Sequence, residues 1–146
     1  MRLSSSLCRT SILWRRRVSE TAARYPCLAL VVYRCAGTVL AARETIAEKR
    51  KRFLVSAASA WELETKHRLG KLEQAAEALF RFNELVAADG FEHLPVSYLH
   101  AIKAGCYASE HRDPFDRMLA AQSGLEAATL VTCDPVFQGF AVEVLW

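Results

Sequence analysis

With 146 residues, 52% of them hydrophobic, the chain has the size and apolar content of one domain built around one core. Its formal net charge of +3 is unevenly spread. Residues 1–36 carry seven arginines against one acid, Glu20, while residues 37–146 carry twelve basic and fifteen acidic residues, so the basic balance is no argument for nucleic-acid binding by the body of the chain. Five cysteines, at 8, 27, 35, 106 and 133, include no C-x-x-C pair and suggest neither a disulfide framework nor a zinc site. No apolar run approaches the roughly 20 residues of a membrane-spanning helix.

In chain order, residues 1–37 read differently from the rest: Ser-rich, Arg-rich, poor in acids and without a helical stripe. Such a segment fits a transit peptide, an ill-defined arm, or a frameshifted or misassigned start. The longest apolar run, CLALVVY at 27–33, is strand-sized. From residue 38 the local signals agree with one another and define the expected domain, 38–146.

Residues 41–52 (AARETIAEKRKR) predict a solvated, charged helix and residues 53–57 (FLVSA) a short strand. SAWELETKHRLG follows, with Ser59 and Glu62 at capping-box spacing and Gly70 as the stop. A second amphipathic helix is expected over 74–88, ended by Gly90. Residues 91–96 give a weak strand, and Ser97 caps a third helix over 98–108. HRDPFDRMLAAQ at 111–122 launches a fourth helix over 114–126. ATLVTC at 128–133 is a buried strand, Asp134-Pro135 a turn, and AVEVLW at 141–146 a final strand. Strands alternating with helices predict an α/β fold with a mainly parallel sheet and helices on both faces.

Ligands collect at the carboxyl ends of such strands, and four acids fall there: Glu62, Asp113, Asp116 and Asp134. Taken singly each has a structural role to fill. Asp113 is a good N-cap with Pro114 at N1, and Asp116 at N3 faces the positive end of the helix dipole. Glu62 completes the capping box, and Asp134 suits a turn. Taken together they suit a hard cation such as Mg²⁺ or Mn²⁺, whose preferred ligands are carboxylate and water oxygens and which activates water for phosphodiester hydrolysis.

SAASAWELETKHRLGKL, HRDPFDRMLAAQ and TLVTCD, followed by a terminal VLW, resemble a PIN-domain protein of the VapC type, the toxin ribonuclease of type II toxin–antitoxin systems. The resemblance implies a three-layer α/β/α sandwich with a central, mainly parallel sheet, Mg²⁺ or Mn²⁺ as cofactor, and endoribonuclease activity in the cytoplasm. It further implies restraint by a cognate antitoxin and a homodimer, with RNA as the substrate and no membrane association. By motif, Glu62 and Asp116 are metal-site acids, Asp134 an outer or second catalytic acid, and Asp113 a less direct member of the metal site that either orients the loop or accepts a water-mediated contact. Lys66, Lys71, Arg112 and Arg117 are the phosphate partners expected for RNA. Trp61 and Trp146 read as core in preference to base-stacking platforms, Cys133 as a small apolar filler in preference to a reactive thiol, and His111 as an exposed loop residue, with protonation of a leaving group as its alternative role.

One departure bears on activity. VapC-like chains open with an apolar strand ending in Asp-Thr-His and then Leu-Leu-Trp. Here Ile12-Leu13-Trp14 echoes the end of that motif, but Ser6, Leu7 and Cys8 stand before it, and no carboxylate precedes Glu20. A neutral Ser or Cys does not replace a charged oxygen ligand for a hard ion. The alternative is therefore a catalytically inactive PIN-like module that binds an antitoxin, with residues 27–33 substituting for the first strand.

Overall fold

The computed structural model describes residues 12–16, 51–71, 76–108, 111–132 and 134–145. Five strands form one sheet: β1 (Ile12–Arg16), β2 (Lys51–Ser56), β3 (Glu92–Leu94), β4 (Thr129–Val131) and β5 (Val144–Leu145), in the order β3-β2-β1-β4-β5. The helices are α1 (Ala57–Arg68), α2 (Ala76–Phe80), α3 (Phe82–Ala88), α4 (Tyr98–Cys106) and α5 (Pro114–Glu126), with a 3-10 helix over Pro135–Gly139. The expectations for Cys133, Trp146, the 27–33 run and residues 41–50 lie outside the described residues. Lys51 and Arg52, expected to end a helix, instead begin β2, where the Arg52 guanidinium pairs with Glu92 on β3.

The sheet corrects the expectation of mainly parallel pairing. β2 with β3 and β4 with β5 are parallel, but β1 runs antiparallel to both of its neighbours, with Leu13 opposite Leu54 and Leu130. An alternation of side chains identifies a strand and says nothing of its direction. Only the connections decide that. The end of β1 that lies with the carboxyl ends of β2 and β4 is therefore its start, Ile12, while Arg15 and Arg16 lie at the far end of the sheet.

Every described side chain of β4, and the run Phe53 to Ser56 of β2, is buried, so these two strands are covered on both faces. Leu54, Leu94, Leu119, Ala120, Ala128, Leu130, Phe137 and Phe140 make the core, with Tyr107, Val136 and Val142 packed against it. A fully buried Leu such as Leu119 or Leu130 contributes about 1.5–3 kcal/mol.

α1 is launched straight from β2 and packs on α5, which follows the loop after α4. The cap of α1 is Ser56, whose Oγ accepts from Ala58 N–H at 3.0 Å, and not Ser59, which is buried inside the helix. The SAAS run offers two serines at reasonable cap positions, and the strand's end selects the earlier one. The expected helix over 74–88 is divided at Arg81, where the backbone opens to ψ 16°; the hydrogen bonds Arg81 N to Glu77 O and Leu85 N to Arg81 O carry the path across the break. α4 has a capping box built from Ser97 and His100: Ser97 Oγ accepts from His100 N–H, and His100 Nδ1 accepts from Ser97 N–H at 3.0 Å. His100 Nε2 then carries the proton, which it donates to Glu126 Oε1 at 3.2 Å.

Candidate metal centre

Two buried acids face each other across the α1–α5 contact. Asp116 is 2% exposed and Glu62 5% exposed, an unusual position for carboxylates unless they are paired. Asp116 lies in the first turn of α5, behind a cap in which Asp113 Oδ1 accepts from Phe115 N–H at 2.9 Å. Glu62 lies in the second turn of α1, beyond the reach of that helix's terminal dipole.

Each acid has a basic partner on its own side. Lys66 Nζ lies 2.6 Å from Glu62 Oε1, one helical turn away, and His111 Nε2 lies 2.6 Å from Asp116 Oδ2. The partners do not fully compensate. Burial pushes the Glu62 carboxyl above its ordinary range; Lys66 pulls it back, and the charges of Asp116 and Asp113 push it up again. Burial likewise raises Asp116, opposed by His111 and reinforced by Asp113 and Asp134. Glu62 Oε2 is buried with no hydrogen-bond partner, an arrangement that costs about 1–3 kcal/mol or more for a charged group.

All four acids read from the sequence thus come within electrostatic reach of Asp116 or Glu62. Asp134 also caps the 3-10 helix, its Oδ1 accepting from Val136 N–H at 3.0 Å. The basic residues divide. Arg112 and Lys71 are exposed. Lys66 is turned to Glu62 and its side chain is only 16% exposed. Arg117 donates to four backbone carbonyls: Nε to Ala104 O at 2.9 Å, Nη1 to His111 O at 3.1 Å, and Nη2 to Gly105 O and Tyr107 O at 3.2 and 2.6 Å. Its guanidinium closes the carboxyl end of α4 and holds the backbone at His111 in place.

Three residues depart from the sequence reading. His111 is not a merely exposed loop residue but the partner of Asp116. Trp61, expected in the core, is 64% exposed, because its place on α1 turns it outward while Glu62 turns in. Gln122 carried no signal, yet it is fully buried and links three elements: Ser56 Oγ donates to its Oε1 at 2.5 Å, and its Nε2 donates to Pro95 O at 3.3 Å. That link fixes the start of α1 against the middle of α5, and so the spacing of the two acids.

Compared with known protein families, residues 29–143 match the PIN domain. The chain belongs to the PIN-domain family. PIN domains have an α/β/α fold and are, as a family, metal-dependent nucleases, which typically use divalent ions. The matched span begins ahead of residue 38, where the sequence patterns become consistent. Comparison with curated proteins and with solved structures found no match.

The residues of this PIN domain fit a hard divalent cation in donor chemistry and in charge. The orphaned Glu62 Oε2 and two carboxylates held above their ordinary range are what a cation would relieve. Among the described residues no set of three or more His, Cys, Asp or Glu side chains is arranged to hold an ion. Mg²⁺ does not require such a set, since it keeps several waters and is commonly held by one or two carboxylates.

Proposed function

We propose that this PIN domain is the endoribonuclease toxin of a VapC-type toxin–antitoxin pair, using Mg²⁺ or Mn²⁺ to hydrolyse RNA phosphodiester bonds. The observation that carries the nuclease reading is the buried, mutually coupled pair Glu62 and Asp116 at the α1–α5 contact. The motifs SAASAWE, DPFDR and TLVTCD support the toxin assignment.

In this reading Glu62 and Asp116 hold the ion, with Asp113 and Asp134 adding negative charge around it. When bound, the ion supplies Lewis acidity and an activated water. Lys66 keeps Glu62 ionised and oriented. His111, its Nε2 paired with Asp116 Oδ2, is in this reading the group that donates to a leaving oxygen. Arg112 and Lys71 meet the phosphates, while the contribution of Arg117 is to position the backbone that carries His111. The partners are RNA, a cognate antitoxin and a second copy of the chain, in the cytoplasm. Among the described residues no helix is long and apolar enough to cross a membrane.

A second reading, an inactive module that binds an antitoxin, is favoured by one observation. Ile12 begins β1 at the site end of the sheet, and the sequence before it contains no carboxylate. Cleavage of RNA by the purified protein in Mn²⁺, compared with Glu62→Gln and Asp116→Asn, separates the two. The nuclease reading expects cleavage by the unaltered chain alone. Equal cleavage by all three defeats the assignment of these acids, and no cleavage by any supports the binding module.

A further inference from the structure

Trp61 and Phe115 immediately precede Glu62 and Asp116 in the sequence, and the two rings meet edge to face with centroids 4.7 Å apart and planes at 67°. The contact bridges α1 and α5 beside the acid pair. Phe115 is half-buried, and its backbone is fixed by the Asp113 cap and by Pro114 at N1. Trp61 leans on it with nearly two thirds of its surface open, although tryptophan is highly buried on average. Edge-to-face packing against an anchored ring holds the indole in one orientation, so little side-chain freedom remains to be lost when something binds to it.

We propose that Trp61, braced by Phe115, is a stacking platform for an unpaired base of single-stranded RNA, placed to set the position of the nucleotide beside the acid pair. The inference rests on the nuclease reading above. Three observations point to a base as the occupant. The platform adjoins the only pair of buried, coupled acids among the described residues. Exposed Arg112 lies on the same short segment as Asp113 and Phe115 and offers a phosphate partner. An aromatic face beside a cation is the usual means of holding unpaired nucleotides, because every base has a π-face and the backbone is anionic. Duplex RNA has its bases already stacked and gains nothing from such a ring.

The test uses the full-length protein in EDTA, so that binding is read without cleavage. The probe is an end-labelled single-stranded RNA of about a dozen nucleotides, within the usual site size of single-strand binders, and the same sequence as a duplex. Trp61→Ala is expected to weaken single-strand binding about 5- to 150-fold, with the duplex affinity and the salt dependence unchanged, since stacking releases no counterions. Trp61→Phe is expected to retain most of the affinity and to lose the part of the fluorescence quenching on RNA binding that comes from the indole of Trp61. Leu69→Ala, an exposed apolar position on the turn after α1, is expected to bind as the unaltered protein does. Melting curves establish that the variants are folded.

Trp61→Ala binding at unaltered affinity, or quenching that persists undiminished in Trp61→Phe, overturns the proposal. So does a loss of affinity in Trp61→Ala accompanied by a change of mass in sedimentation, which would make the indole a contact between protein chains. If the unaltered protein binds the RNA and cleaves it in Mn²⁺ while Trp61→Ala does both equally well, only the platform fails. Failure of the unaltered protein both to bind the RNA in EDTA and to cleave it in Mn²⁺ removes the nuclease reading and the platform together.

Discussion

α1 and α5 do the same job with different chemistry. Each leaves a strand or loop through a side-chain cap, each buries one acid toward the other, and each ends in a residue with positive φ. They differ in how the acid is compensated. Asp116 sits in the first turn, where the helix dipole favours it, and His111 takes one oxygen. Glu62 sits a turn deeper, has only Lys66, and leaves Oε2 orphaned. The less compensated acid is the one with more to gain from a cation, so Glu62 is expected to dominate metal affinity and Asp116 the local fold.

The largest effect expected is on catalysis. Glu62→Gln and Asp116→Asn should each lower Mn²⁺-dependent RNA cleavage by more than about 100-fold. Calorimetric titration with Mn²⁺ should show the greater loss of affinity in Glu62→Gln; a greater loss in Asp116→Asn would reverse the comparison.

Next is Arg117, which belongs to α5 and has no counterpart on α1. Arg117→Met deprives the carboxyl end of α4 and the His111 carbonyl of four donors, and denaturant unfolding should register a loss of about 2–4 kcal/mol. Arg117→Lys should recover only a minor part, since one ammonium does not reproduce a planar fork.

The pH response of the metal-free protein sharpens the comparison further. Both carboxyls bind their proton more tightly in the folded chain than in the unfolded one, so the unfolded state gives up its protons first. Their joint contribution to stability therefore falls as pH rises from the ordinary values, 3.8 for Asp116 and 4.5 for Glu62, and levels off above the raised ones. Thermal melts across that window should show a smaller fall in Glu62→Gln, and Mg²⁺ at a hundredfold its Kd should restore about 2.7 kcal/mol above the window. A pH profile unchanged by Glu62→Gln would mean that its burial carries no penalty.

The smallest effects come from the helix ends. α1 stops with Gly70 at φ 69°, while α5 stops with Ala127 at φ 48°, a conformation that costs an L-residue about 1 kcal/mol. Ala127→Gly should stabilise the protein by up to about that amount and Gly70→Ala should destabilise it similarly. Both read out as shifts in Tm.

Much of this could be read in the sequence where a local rule acts on its own. Pro114–Glu126 follows from Asp113 and Pro114, Ser97 does cap α4, and Gly70 and Gly90 do end helices, because caps and positive φ are properties of a few neighbouring residues. The direction of β1 was not legible, since side-chain alternation is the same in both senses. The outward turn of Trp61 was hidden because an aromatic in a helical pattern announces apolar surface and not the side it faces. Arg117 and Gln122 act on groups far along the chain or on backbone carbonyls, which carry no residue-type signature at all. Of the candidate site, the sequence singled out the four acids. The orphaned oxygen emerges only from the packing of α1 on α5, and the pairing of His111 with Asp116 only from the way the loop before α5 folds back on its first turn.

The bridge from Ser56 through Gln122 to Pro95 makes the gap between the acid-bearing helices a length measured by one side chain. Shortening it by a single methylene, as in Gln122→Asn, would leave the amide unable to span both partners without drawing the helices together. If the two acids hold an ion as proposed, the room left for it would depend on a residue that never touches it, and resizing the site for a larger or smaller cation would begin at position 122 and not at the carboxylates.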